Sequence, residues 1–304
     1  MFPATDIYPH LTKMLSQQLK TFPEHETFLG RRFAQRNPGD LQFDDFVADK
    51  VIRIAGGDLE RICADYKWLC GEVLNEELHF RRTGSYRLSS FKDALEQVYN
   101  DRVYMTRYMN GLLASQIWWV NHTDVLRTFR DRFIPGNPPG YSHLEIGPGH
   151  GLFLHLAASS PQCRTATGWD ISDASIEGTR AALKAIDTGA NVHLEKVDLF
   201  ASPAASFQSI TFSEVLEHLE DPVDALRRLY DLLEPGGRIF INAPVNSPAP
   251  DHIFLFSTPE EIVDMVEQAG FRVMDTEFAP CVGATLERAR NRKLSISTVV
   301  IATK

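Results

Sequence analysis

The chain has 304 residues, 43% of them hydrophobic and 23% charged, with a net charge of −9 at pH 7. That length accommodates two ordinary domains or one domain with a large appendage. No apolar run approaches the eighteen or so residues that cross a bilayer, and the acidic balance repels nucleic acid and anionic membrane surfaces. The opening stretch MFPATDIYPHLTKMLSQQLK has no basic segment followed by an apolar core, so no secretory signal is expected. Cys63, Cys70, Cys163 and Cys281 form no C-x-x-C pair and no zinc-type spacing with histidine. They read as reduced thiols of a cytoplasmic protein.

Residues 1–132 read almost entirely as helix. In DLERICADYKWLCGEVLNEEL, Leu59, Ile62, Cys63, Tyr66, Leu69, Cys70, Val73 and Leu74 recur at steps of three and four, which makes one apolar stripe. SSFKDALEQVYND opens with Ser90 three residues ahead of Asp93, close to a capping-box signal. RVYMTRYMNGLLASQIWWVNHTDVLRTFRDRF continues as a third long helical stretch, with a break expected near Asn110-Gly111. FIPGNPPGYS, residues 133–142, holds three prolines and two glycines and reads as a linker.

Beyond the linker the pattern alternates. β-rich runs at 142–147, 164–169, 191–197, 208–213, 237–243, 271–278 and 294–303 are separated by helical segments at 151–159, 173–186, 221–234 and 258–269. Strand, helix, strand in succession predicts an α/β fold with a doubly wound, Rossmann-like sheet of seven strands. The last two strands have no helix-period segment between them and are expected to pair antiparallel at one edge. The predicted organisation is a helical region at 1–132, a linker at 133–142 and an α/β domain at 143–304.

The most informative stretch is HLEIGPGHGLFLHLA, residues 143–157. A strand runs into Gly147, Gly149 and Gly151, the usual way to bring main chain close to a cofactor. A dinucleotide fingerprint needs a third glycine where this chain has Leu152. Glu145, two residues ahead of the first glycine, would also repel a pyrophosphate. A zwitterionic amino-acid moiety with a positive sulfur suits it better. Pro148 has no amide hydrogen, so the turn's donors come from its glycines and His150, itself read as a tolerated loop residue.

LEIGPGHG resembles the first motif of the class I S-adenosylmethionine-dependent methyltransferases, and the resemblance continues in order over residues 141–304. GWD puts Asp170 twenty-three residues past Gly147, where the family's acidic residue takes the ribose hydroxyls. EKVDLF puts Asp198 where the family faces the adenine amino group, with Leu199 packing on the ring. ITFSEVLEHLEDP resembles the fourth-strand motif and LLEPGGRIFINAP the turn into the fifth strand. The resemblance implies S-adenosylmethionine as cofactor, held by Glu145, Gly147, Gly149, Gly151, Asp170, Ile171, Asp198, Leu199 and Ser213.

Methyl transfer from a sulfonium requires alignment, exclusion of water and sometimes removal of a proton. The catalytic candidates are His218 and His252 as general base, with Glu217 and His122 beside them. Glu214, Glu217, His218 and His252 together resemble the metal site of small-RNA 2′-O-methyltransferases and, in part, that of ubiquinone-pathway O-methyltransferases. The same wording occurs in metal-free members of the superfamily, so no metal is favoured and a divalent cation stays as the alternative. The proline-rich loop 242–258 and the aromatic group Tyr104, Tyr108, Trp118, Trp119 and His122 are expected to line and roof a substrate pocket. The leading expectation is methylation of an oxygen or nitrogen of a small organic molecule, a secondary metabolite, with neither nucleic acid nor membrane as partner. Metal-assisted RNA ribose methylation, a non-catalytic binding subunit and a homodimer are left open.

Overall fold

A computed structural model describes residues 6–189 and 191–304. The first five residues, which begin the stretch read as lacking a secretory signal, lie outside that range. Among the described residues no helix is long and apolar enough to cross a membrane.

Seven helices come first: α1 (Pro9–Thr21), α2 (Glu26–Phe33), α3 (Pro38–Ile54), α4 (Leu59–Thr83), α5 (Phe91–Ala94), α6 (Arg102–Trp118) and α7 (Val120–Thr128). Side-chain caps start four of them, α3 to α6. Asn37 and Asp40 form a reciprocal capping box on α3, the Ser90 hydroxyl accepts the Asp93 amide hydrogen, and Asp101 accepts from Val103 and Tyr104. Between α5 and α6 the chain makes a π-helical turn, Leu95–Tyr99, in which the Asn100 amide donates to the Leu95 carbonyl at 3.0 Å.

The break expected at Asn110-Gly111 is not there. Gly111 serves close packing instead: a Cβ on it would lie 2.7 Å from Leu69 Cβ, so its bare backbone lets α6 settle on α4. The helix breaks at Trp119, whose backbone is extended (φ −93°, ψ 107°). A continuous helix would set adjacent indoles about 100° apart. The break lets Trp118 enter the core, 0% exposed, while Trp119 Nε1 donates to the Tyr66 hydroxyl at 2.9 Å.

The sheet has strands β1 (Tyr141–Ile146), β2 (Cys163–Asp170), β3 (Val192–Lys196), β4 (Phe207–Ser213), β5 (Leu233–Val245), β6 (Arg272–Pro280) and β7 (Ile296–Thr303) in the order β3-β2-β1-β4-β5-β7-β6. The first five are parallel, and β7 runs antiparallel to both β5 and β6. Helices α8 (Leu152–Ala158), α9 (Asp173–Ala185), α10 (Pro222–Leu232) and α11 (Pro259–Gln268) fall where the periodicity predicts. A further helix, α12 (Leu286–Arg292), precedes β7. Only Ala289 of its seven residues is buried, so it carries no apolar period to read.

One core continues from the helical region onto a face of the sheet. Phe129 packs against Phe153 and Phe240 with ring centroids 5.1 Å apart in each pair, and Phe133 lies 5.5 Å from Phe240. Val299 and Ile301 of β7 belong to the same cluster as Met14, Phe43 and Tyr66. On the opposite face, Leu226, Leu229, Ile262 and Val266 cover Ile239, Ile241 and Val300.

His143 of β1 is sealed into this interior, its Nδ1 2.9 Å from Ser209 Oγ and its Nε2 3.3 Å from Thr211 Oγ1. Burial pushes its pKa down to about 3. The unfolded imidazole protonates near 6.5, so between these values the unfolded chain binds the extra proton. His143 therefore supports the fold fully above that upper value and withdraws its support as pH falls toward the lower one. Replacing it by glutamine is expected to flatten the slope of unfolding free energy against pH by about 1.4 kcal/mol per unit between roughly pH 4 and 6. Urea titrations at several pH values read this slope directly.

Candidate functional site

The parallel strands end along one edge of the sheet, where ligands bind in open α/β folds. Register brings the ends together: Ile146 pairs with Trp169 and with Phe212, Asp170 with Lys196, and Ser213 with Asn242. Beyond β1 the chain turns through Gly147, Gly149 and Gly151 at φ of 67°, 50° and 74°. A Cβ on Gly147 would sit 3.0 Å from Val215 Cγ2, so a larger residue there is crowded as well as strained. The turn is pinned from beneath: the Gly147 amide donates to the Trp169 carbonyl at 2.8 Å, and the Thr179 hydroxyl donates to the Gly149 carbonyl at 2.7 Å.

Behind the turn lies Glu145, 3% exposed, with no described partner for Oε2. Burial pushes its pKa well above the usual carboxyl range, against a main-chain contact from Leu154. Asp170, partly buried at the end of β2, accepts from the Ser172 amide at 2.9 Å and the Ser175 hydroxyl at 2.6 Å. Asp198 accepts from the Phe200 amide at 2.9 Å. A carboxylate offers about four lone-pair positions, so both acids keep acceptor capacity for a ligand. Ile171 is 51% exposed beside Asp170, whereas Leu199 is 7% exposed and packs into the core, with Phe200 next to it 48% exposed. The orphaned Glu145 oxygen, the glycine cradle and the two strand-end acids fit the amino-acid and nucleoside ends of S-adenosylmethionine.

The second cluster forms after β4. Glu214 occupies the left-handed region (φ 54°), a conformation costing a non-glycine residue on the order of 1–3 kcal/mol and concentrated at functional sites. Its carboxylate accepts from Asn242 Nδ2 at 2.7 Å, and the same nitrogen donates to Ser213 Oγ at 3.0 Å. Burial raises the Glu214 pKa to about 7. Glu217 is 0% exposed, and neither of its carboxylate oxygens has a described partner. Burial, and then the Glu214 charge, push its pKa well up. Its carbonyl accepts from the amides of Ile253 and Phe254, both at 3.0 Å, which ties the turn to the loop after β5.

That loop brings His252 to His218. His218 Nδ1 lies 3.0 Å from the Asp251 carbonyl, and His252 Nδ1 lies 2.6 Å from the Ser247 carbonyl. A carbonyl only accepts, so each neutral imidazole carries its proton on Nδ1 and leaves the Nε2 lone pair free. Both Nε2 atoms face Glu217 Oε1, at 3.8 Å from His218 and 3.9 Å from His252. One ligand atom from each of the three residues lies within 4.8 Å of the others. Atoms sharing a cation at about 2.1 Å sit at most about 4.2 Å apart, so a small inward movement would close the group around one ion. Two imidazole nitrogens and a carboxylate suit a divalent transition metal, with each Nδ1 hydrogen anchored as metal-binding histidines usually are. Of the four ligands considered from sequence, Glu217, His218 and His252 converge, while Glu214 stands beside them held by Asn242.

The helical region roofs this edge. Met109 Cε of α6 lies 3.7 Å from where a Gly149 Cβ would be, and the Tyr108 hydroxyl donates to Asp251 Oδ1 at 2.6 Å. Tyr99 donates to Asp251 Oδ2 at 3.3 Å and lies 3.2 Å from His218 Nδ1. The Tyr86 oxygen accepts the Ser247 amide hydrogen at 2.9 Å. Among the aromatic candidates Tyr108 thus reaches the cluster, while Tyr104 donates to Glu72 and the two tryptophans turn inward. His122 stands elsewhere, 3.0 Å from Ser115 Oγ, with its pKa lowered to about 3 by burial and by His150 of the glycine turn. Tyr86, Tyr99, Met109 and Asn242 were not singled out from sequence. Each acts across a long-range contact that leaves no local pattern.

A family model described as a methyltransferase domain matches residues 118–276. The ubiquinone biosynthesis O-methyltransferase of Xanthomonas axonopodis pv. citri (strain 306) is 29% identical over 186 residues, covering 54% of this chain and 74% of that protein. The enzyme of the same name from Vibrio parahaemolyticus serotype O3:K6 (strain RIMD 2210633) is 27% identical over 132 residues, covering 42% of this chain and 54% of that protein. The chain thus spans between about half and three quarters of the length of these relatives. Among solved structures, that of the mitomycin 7-O-methyltransferase MmcR aligns with a TM-score of 0.54 at 16% identity, over 81% of this chain and 71% of that one. At such identity the likeness shows the fold alone.

Proposed function

We propose that the chain, which belongs to the class I S-adenosylmethionine-dependent methyltransferases, methylates a hydroxyl oxygen of a small organic molecule, in keeping with the secondary-metabolite acceptor expected from sequence. One observation carries this reading. A fully buried carboxylate with no side-chain donor among the described residues faces two imidazole nitrogens at the edge where the cofactor turn lies. A neutral amine attacks through a lone pair it already has, whereas a hydroxyl becomes a good nucleophile only by losing its proton. Residues assembled to remove or neutralise a proton therefore favour oxygen over nitrogen. The acidic surface and the helical roof favour a small acceptor over a nucleic acid.

Bound S-adenosylmethionine supplies an electrophilic methyl group on a positive sulfur. Glu145 and the glycine turn would hold its amino-acid end, and Asp170 and Asp198 its nucleoside. Glu217, His218 and His252 would hold a divalent cation, whose charge would acidify a nearby hydroxyl. With its Nδ1 hydrogen committed to a carbonyl, the neutral ring of each histidine directs its Nε2 lone pair at the site. Burial holds the His252 pKa near 4, so it stays neutral around pH 7 and able to serve as ligand or base. Met109 and Tyr108 of α6 lie over the edge and would keep bulk water from it.

Two measurements test the reading. A panel of phenols, catechols and amines is expected to give methylated oxygen products and no methylated amines, and the reverse selectivity would overturn the assignment. Manganese titration into chelator-stripped protein, followed by electron paramagnetic resonance, is expected to reveal one site that Glu217→Ala and His252→Ala both abolish. Full activity in protein shown by elemental analysis to be metal-free would remove the cation from the proposal.

A further inference from the structure

We propose that Tyr86, Tyr99 and Tyr108 are positioning residues: through the loop 247–252 they fix the tautomer and aim of His252 and His218, so docking of the helical region aims the Nε2 atoms of the imidazole pair. The inference rests on the preceding reading for the use of that pair, though not for its geometry.

Two parallel chains of hydrogen bonds carry it. In the first, the phenols of Tyr108 and Tyr99 donate to the two oxygens of the Asp251 carboxylate, at 2.6 and 3.3 Å. The main-chain carbonyl of the same residue takes the His218 Nδ1 hydrogen at 3.0 Å, with the Tyr99 oxygen a second acceptor at 3.2 Å. In the second, Tyr86 takes the amide hydrogen of Ser247, and the Ser247 carbonyl takes the Nδ1 hydrogen of His252 at 2.6 Å. Each histidine is thus aimed by a loop residue whose other polar group is tied to the helical region.

The local structure of the helical region is arranged for these contacts. The π-helical turn at Leu95–Tyr99 carries Tyr99 at its last position, and such turns are frequent at functional sites. The start of α5 is seated on the segment following His218, because the Phe91 amide donates to Glu220 Oε1 at 2.9 Å. Tyr108 is 3% exposed, with its hydroxyl against a carboxylate that is itself 4% exposed. A buried phenol beside a buried carboxylate is retained only where the bond between them offsets the desolvation of both. Packing alone would have been met by phenylalanine. Free imidazole populates both tautomers, so withdrawing a carbonyl acceptor leaves the ring without a defined lone-pair direction.

The test is to read imidazole tautomers from nitrogen-15 shifts in full-length protein labelled at histidine. The unaltered protein is expected to show His218 and His252 with hydrogen on Nδ1. The Tyr99→Phe/Tyr108→Phe double variant is expected to lose the single tautomer at His218 and keep it at His252, and Tyr86→Phe is expected to do the opposite. In both, kcat falls on the order of tenfold to a hundredfold while the KM for S-adenosylmethionine stays unchanged, the signature of misaligned reacting groups. Both histidines shifting together in either variant, or neither shifting, would overturn the proposal. If the double variant does not fold, Tyr99→Phe alone, at the less buried phenol, gives the same reading for His218. The tautomer readout uses no acceptor, so an error in acceptor class leaves it standing.

Discussion

Glutamine in place of Glu217 is expected to lower turnover on the order of 10²–10⁴-fold, the range a positioned proton-transfer group contributes. The substitution keeps shape and volume, removes the ionisable oxygen and puts an NH2 donor in its place. Glu217 is 0% exposed, both its oxygens lack described donors, and two imidazole nitrogens face one of them. An amide there cannot take a proton, and it balances a cation far more weakly than a carboxylate does. Cofactor affinity is expected to change little, since the glycine turn and the strand-end acids belong to a different part of the edge. Calorimetric titration with S-adenosylmethionine beside steady-state kinetics separates the two effects. Near-normal turnover would leave the buried carboxylate without a part in the reaction. A large loss of cofactor affinity would instead assign it to binding.

The second large effect is at Asp170. Alanine there is expected to weaken S-adenosylmethionine binding by about 10²–10⁴-fold, the equivalent of two charge-assisted hydrogen bonds at about 1.5–3 kcal/mol each. The carboxylate also holds the chain locally, accepting from the Ser172 amide and the Ser175 hydroxyl. Ser175→Ala is the control, because it removes one local bond and leaves the acid in place. Its affinity is expected to stay close to that of the unaltered protein. Equal losses in both variants would make Asp170 a loop anchor, and unchanged affinity in Asp170→Ala would remove it from the ribose-binding role.

The strands and the α/β helices are legible in the sequence because each is a local pattern with its own punctuation. The run LEIG is a strand end, apolar but for Glu145, that stops at a glycine, and the helices α10 and α11 each begin on a capped proline. The Glu214–His218 turn and His252 are legible as chemistry, since so many titratable groups in two short stretches invite a site. Where they converge is not legible, because it depends on the path of the loop after β5. Gly111 misleads for a physical reason: a glycine within a helix signals either a break or a close neighbour, and only the position of Leu69 decides. The break at Trp119 answers to Tyr66, fifty-three residues away. Tyr86 and Tyr99 escape notice because their partners are main-chain atoms and a loop aspartate, which no periodicity announces.

The aromatic packing of Phe129, Phe133, Phe153 and Phe240 has a further consequence for how the molecule behaves as an object. Its greasy interior has no seam at the proline-rich linker, so scissors placed there would cut through oil instead of between two droplets. A fragment starting at Tyr141 would carry a raw apolar wall into water and clump. A fragment ending near Phe133 would lack the floor on which its last helices stand. The two halves of the polypeptide are therefore expected to melt as one piece.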